Sequence, residues 1–335
     1  MRAFAVMAVL ADHTLQAFRI YRVGPFDVPW FGVFGVFLFF VHTCLVLMWS
    51  LERRPHTLDF YIRRAFRIYP LAIVVIVIVC ILHLPVNGNA EHPFLYVPIT
   101  PSTFLANLTL MNNLVHRQTV ESVMWSLPIE VQMYLALPMI FVFARKERTI
   151  WPFLLLWLLS AVAISVNFGS FGANTISVIP NFLPGVIAYI GFMHRKPRLP
   201  GWTFGLLVLL LSTAFELHPS MKSGWCACLL LGLALPFFRQ MRRSAITRAA
   251  HEIAKHSYSI YLLHIWALAL AVYYLRLHSV AAVLAVEFAA VAALAYIGYR
   301  FVEEPFIRIG AKIAGRLQVR YTKAPDVPAR GLDLT

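Results

Sequence analysis

Charge is what this sequence has least of. Asp, Glu, Lys and Arg make up 13% of its 335 residues, against about 25% in an ordinary soluble domain. Acidic side chains are the scarcer kind, 15 against 29 basic ones, so the formal charge is +14. Cysteine is scarce as well. Cys44, Cys80, Cys226 and Cys228 all lie in apolar runs, and Cys226 and Cys228 are too close for a Cys-x-x-Cys redox pair. These shortages exclude a soluble globular enzyme, a disordered chain and a disulfide scaffold, and they indicate no zinc site or other metal centre. No small-residue cleavage site follows the first apolar run, where Arg19, Ile20, Tyr21 and Arg22 come next. That run therefore reads as a retained helix rather than a signal peptide. No repeat relates the two halves, which disfavours a transporter built from duplicated bundles.

Apolar residues are abundant: 60% of the chain is hydrophobic and the mean hydropathy is +0.72. They fall in ten runs, Ala3–Phe18, Trp30–Trp49, Tyr69–Leu84, Met124–Ala144, Ile150–Asn167, Val178–Met193, Gly201–Leu217, Met221–Phe238, Tyr258–Leu275 and Val280–Val302. A hydrocarbon core about 30 Å thick takes about 20 helical residues per crossing, so several runs need flanking residues to span. The expected fold is an all-α polytopic membrane protein of about ten transmembrane helices. Within the long connection Pro85–Val123, Phe104–Leu114 reads as a short interfacial helix.

The basic residues test that count. With the N-terminus in the cytosol, 24 Lys and Arg fall inside and five outside, the five being Arg19, Arg22, Arg117, Lys222 and Arg276. One missed or invented helix would scramble the alternation, so the positive-inside rule supports ten helices with both termini cytosolic. It also accounts for the basic balance without a nucleic acid partner.

Chemistry must then come from polar groups in or beside the bilayer, where ionisable side chains are costly and mark function by default. His13 lies eleven residues after Arg2, about 16 Å along a helix. Arg2 is thus placed at the cytosolic surface and His13 in the outer half, where an imidazole can serve as general base or simply pack. Glu130, in Trp125-Ser-Leu-Pro-Ile-Glu-Val-Gln-Met-Tyr134, shares a helix face with Tyr134. Ser126 reads as the N-cap of that helix. Glu130 falls about 9 Å below the outer surface and His13 about 8 Å, so the two are expected at matched depth, able to orient one another. Arg64 and Arg67 sit three apart, a spacing that lets two guanidinium forks grip a polyphosphate; topology signals would look the same. Tyr258, Tyr261 and His264 recur at three-residue intervals on one face, either lining a pathway or anchoring an interface. Glu303-Glu304-Pro305 reads as a helix stop, and His42 and Glu287 belong to no constellation.

In order along the chain, these segments resemble the acyltransferase-3 family of integral membrane acyltransferases. Arg2-x10-His13, Arg64-x-x-Arg67, Trp125-Ser126 through Glu130 and Tyr134, Ser257-Tyr258 to His264, and Glu303-Glu304-Pro305 are each similar to one of its short motifs. The second helix departs from the pattern: it reads Phe39-Phe40-Val41-His42-Thr43-Cys44, where many members carry a small Ser-Gly pair. The resemblance implies a membrane-embedded acyltransferase domain over residues 1–305 and a short basic cytosolic tail over 306–335. It implies transfer of an acyl group, commonly acetyl, from acetyl-CoA or another acyl-CoA to a hydroxyl of a glycan or lipid-linked sugar at the plasma (inner) membrane. His13 and Glu130 would be catalytic, and Arg2, Arg64, Arg67, Tyr258 and His264 would hold the donor. Other classes stay open: a transporter or flippase for a glycan or lipid, an acyltransferase for a lipid or small molecule, and a non-catalytic sensor.

Overall fold

The computed structural model describes residues 1–88, 94–167 and 177–322. In chain order the helices are α1 (Arg2–Ala17), α2 (Val28–Arg53), α3 (Thr57–Leu82), the short α4 (Pro101–Leu108), α5 (Ser126–Glu147), α6 (Trp151–Asn167), α7 (Ile179–His194), α8 (Thr203–Leu217), α9 (Met221–Ala234), α10 (Ala245–Ala269), α11 (Val280–Ile297) and α12 (Glu304–Thr322). A two-residue antiparallel ribbon, Arg22–Val23 with Phe26–Asp27, turns α1 into α2. Each of the ten apolar runs is a helix. Among the described residues, five stretches are long and apolar enough to cross a membrane unaided: Val28–Arg53, Thr57–Leu82, Ser122–Glu147, Ala245–Tyr274 and Val280–Leu317. The chain is an integral, multi-pass, all-α membrane protein.

Helices α2, α7 and α10 form the inside of the bundle. The apolar windows of α2 and α10 are 67% and 72% buried, against 22% for the α11–α12 stretch. Between apolar helices in lipid, close backbone approach supplies the packing that water-driven burial supplies elsewhere. Gly35 provides it against α1, where a Cβ would stand 2.7 Å from the Ala5 carbonyl oxygen. Gly185 of α7 does the same against α2, with Val41 O at 2.6 Å. α1 is thereby held along α2 and, on another side, against α10.

Four local expectations are corrected. α10 begins at Ala245 rather than Tyr258, because Ser244 and Thr247 form a capping box that starts the helix in polar sequence. Ser257 and Tyr258 therefore lie well inside it. α3 begins at Thr57 rather than at Tyr69, so Arg64 and Arg67 stand on a continuous helix that runs through Pro70. Ser126 caps nothing; a 3-10 turn, Ser122–Trp125, leads into α5, and the Ser126 hydroxyl bonds Tyr261. Glu303-Glu304-Pro305 is no stop. Gly298–Glu303 widens into a π-turn and the helix runs on as α12. Proline has no N–H and its ring clashes with the carbonyl four residues back; the wider turn just before Pro305 relieves both.

α12 is amphipathic. Phe306 and Gly310 lie on Phe66 of α3, while Arg308, Lys312 and Arg316 follow on from them. Glu304 takes Arg300 at 2.6 Å and Arg308 at 2.5 Å. The boundary drawn after Pro305 falls in the first turn of this helix. The end of the tail, with Lys323 and Arg330, lies outside the described residues. The expected interfacial helix is α4, capped by Thr100 and shorter than Phe104–Leu114; Leu110, at φ +53, follows its end.

Candidate active site

Five helices converge on one cavity. α1 contributes Arg2, α3 contributes Arg64 and Arg67, α5 contributes Glu130 and Tyr134, and α10 contributes Ser257, Tyr258 and Tyr261; Phe39, Phe40 and His42 of α2 close the wall. The i, i+3 and i, i+4 spacings noted in the sequence put each pair on one face, and the bundle turns those faces toward each other. Three guanidinium groups meet two carboxylates here.

One of those carboxylates is Glu303, which lies in the last of the family-like motifs but which hydropathy and spacing read only as part of a helix stop. The π-turn rotates it inward, where it is 1% exposed. It accepts hydrogen bonds from Arg67 and from the Ser259 hydroxyl. Arg67 also lies 5.7 Å from the centre of the Tyr258 ring, and the Tyr258 hydroxyl donates to Ile68 O at 2.7 Å. Arg67 is thus fixed on two sides. Tyr134 donates to Glu130 at 2.5 Å, and Arg64 lies in the field of both. Arg2 feels Glu130 and Glu303 but also Arg67, and its Nε is buried without a hydrogen-bond partner. A buried guanidinium N–H left open in a cavity with excess positive charge suits an anionic ligand. His42, assigned to no constellation from sequence, lines the same cavity, and its Nδ1 is buried and unpartnered too.

His13 is elsewhere. It lines a second space, with Gln16, Tyr21, Ser122, Ile265 and Leu268 among the walls. Its Nδ1 lies 2.9 Å from Val9 O, 3.3 Å from Nε2 of His264 and 3.9 Å from Asp12. The expected pairing of His13 with Glu130 is corrected on this point. Equal depth does not imply equal azimuth, and Glu130 faces the first cavity. His264, expected among the donor-binding residues, is likewise reassigned. It is fully buried against His13 and does not line the arginine cavity. Tyr258 does line it.

Tyr261 and His264 separate the two spaces. Tyr261 lines the first, its ring centre is 6.3 Å from that of His264, and His264 touches His13, which lines the second. The Tyr261 hydroxyl donates to Val123 O at 2.6 Å and is therefore left to accept from Ser126 at 2.8 Å. Outside these two spaces Glu287 accepts from Thr14 at 2.6 Å, and Asp12 from Gln16 at 2.5 Å. Among the described residues no three His, Cys, Asp or Glu side chains form a metal-holding group.

A family model described as an acyltransferase domain matches residues 1–299. No curated protein and no solved structure matches the chain.

Proposed function

The chain belongs to the acyltransferase-3 family, and from that premise we propose that this membrane acyltransferase moves an acetyl group from cytosolic acetyl-CoA to a hydroxyl of an extracytoplasmic or membrane-linked glycan. The observation that carries the reading is the pair of spaces on one α1 helix. Arg2, Arg64 and Arg67 gather at one of them and His13 opens on the other. A substrate with phosphates at one end and a reactive thioester at the end of a long arm fits such a division. The guanidinium forks hold the phosphates by charge-assisted hydrogen bonds, and the pantetheine arm carries the thioester past Tyr261 toward His13.

The chemistry then needs one proton moved twice. The unprotonated nitrogen of His13 takes the proton of the acceptor hydroxyl as that oxygen attacks the thioester carbonyl. The tetrahedral intermediate collapses with loss of the CoA thiolate, which recovers the proton from the imidazolium. The products are the ester and free CoA. Glu130 stays with the donor: with Tyr134 it fixes Arg64, so its role is positioning rather than orientation of His13.

The test is transfer of label from radiolabelled acetyl-CoA to glycan in proteoliposomes of the purified protein, alongside mass analysis of surface glycans with and without the gene. We expect His13→Gln to abolish transfer, with insertion and donor binding retained. A His13→Gln protein that transfers at the normal rate removes the base assignment. Substrate flux without any acyl product would move the chain to the transport reading.

A further inference from the structure

The reaction above gives His264 no part, yet this side chain is fully buried and both of its ring nitrogens are engaged. Its Nδ1 is 2.8 Å from Tyr261 O and 3.1 Å from Ile260 O. Carbonyl oxygens only accept, so this nitrogen carries the ring hydrogen. In a neutral imidazole the other nitrogen, Nε2, is then a bare lone pair. That lone pair stands 3.3 Å from Nδ1 of His13. The same His13 nitrogen is 2.9 Å from Val9 O, a second group that only accepts. Two acceptors facing one nitrogen require that nitrogen to be the protonated one, its hydrogen shared between them.

We infer that His264 is a positioning residue that holds His13 in the tautomer protonated on Nδ1, leaving Nε2 as the lone pair that takes the acceptor's proton. The inference rests on the reading of His13 as the base. Val9 O is a weak anchor by itself, because within α1 it already accepts the backbone N–H four residues on. His264 adds the acceptor that keeps the ring from turning.

The choice of partner has a consequence. In catalytic triads the base is oriented by a carboxylate. Here Asp12 is 3.9 Å away with its other oxygen committed to Gln16, and Glu130 faces the arginine cavity. The orienting group is neutral. A buried carboxylate would favour the imidazolium form of its partner. A second imidazole directs the hydrogen without adding charge, and it still accepts from Nδ1 once His13 has taken its proton.

The test is ring-nitrogen NMR of histidine-labelled protein in bilayers, with His13 assigned from the His13→Gln spectrum. We expect a pyrrole-type Nδ1 and a pyridine-type Nε2 for His13. In His264→Phe, which keeps the ring volume but cannot accept, the His13 signals should move toward protonation on Nε2. His264→Asn, whose carboxamide oxygen can still accept, should restore the original pattern at least in part. Turnover should follow: kcat should fall on the order of 10²-fold in His264→Phe, within the range of general-base catalysis, less in His264→Asn, with KM for both substrates nearly unchanged. His13 protonated on Nε2 in the native protein, or an unchanged His13 spectrum in His264→Phe, overturns the inference. The native spectrum decides even if neither variant folds. It needs no turnover, so the tautomer can fail while acyl transfer stands, and acyl transfer can fail while the tautomer stands.

Discussion

At the scale of single residues, burial decides more than sequence position does. Glu121, in the segment leading into α5, is 0% exposed, and burial holds its carboxyl well above the usual carboxylate range against the opposing pull of the Trp266 indole. The sign of its effect on stability follows. Between the ordinary carboxylate pKa and the raised one, the folded protein keeps a proton that the unfolded chain has released, so stability falls as pH rises through that window. Glu121→Gln removes the titration. We expect the variant to match the native protein near pH 4, about the ordinary carboxylate pKa, and to exceed it at neutral pH, where the native chain must take up a proton in order to fold. Thermal unfolding in one detergent at both pH values measures this; a gap of equal size at both would refute it. His13 carries a related lesson. Its depth is legible from the distance to Arg2, but its partner is 251 residues away, and helical arithmetic fixes height without fixing rotation.

At the scale of elements, the π-turn between α11 and α12 is the feature that hydropathy cannot show. Glu303 reads as part of a terminus because a proline just beyond usually marks the end of a helix. An inserted residue in the turn re-phases the helix instead and brings that carboxylate onto Arg67 and Ser259. This alters how the arginines should be probed. Arg67→Ala leaves a buried glutamate unpaired, which in other proteins costs about 3–5 kcal/mol, so loss of activity there would report folding as well as binding. Among the described residues Arg64 makes no such ion pair, and in Arg64→Ala the neighbouring Glu130 keeps its hydrogen bond from Tyr134. We expect it to raise the KM for acyl-CoA about 10- to 100-fold, as loss of one charge-assisted contact of about 1.5–3 kcal/mol implies. Lys at Arg64 should rescue only in part, because a point charge cannot replace a fork. Glu303→Gln, which keeps the shape, should raise the same KM more modestly by loosening Arg67. An unchanged donor KM in both variants would return Arg64 to a topology charge. The start of α10 is hidden for a comparable reason: a capping box in polar sequence carries no hydropathy signal.

At the scale of the whole molecule, the ten apolar runs and the order of the short motifs are readable because each is local in sequence. The arginine cavity, the second space and the contacts between them come from helices that meet only in the bundle. The basic residues still bear on orientation. Setting aside Arg2, Arg64 and Arg67, which line a cavity, leaves 21 of the 24 inside positions against five outside. We expect tags at the C-terminus and after Arg195 to report the cytosol and a labelled cysteine in place of Arg117 to react from outside; a C-terminal tag found outside would invert the assignment of the two cavities. The wall between those cavities has a further consequence. An energised membrane stores work as a voltage, and a water-filled path through any embedded protein would short-circuit it. The Tyr261 hydroxyl is clasped by Val123 O and Ser126, between the cavity it lines and the His264 that touches His13. On the proposed reading the protein acts as an insulator between turnovers, and during a turnover the acyl-bearing arm has to fill the gap that it opens.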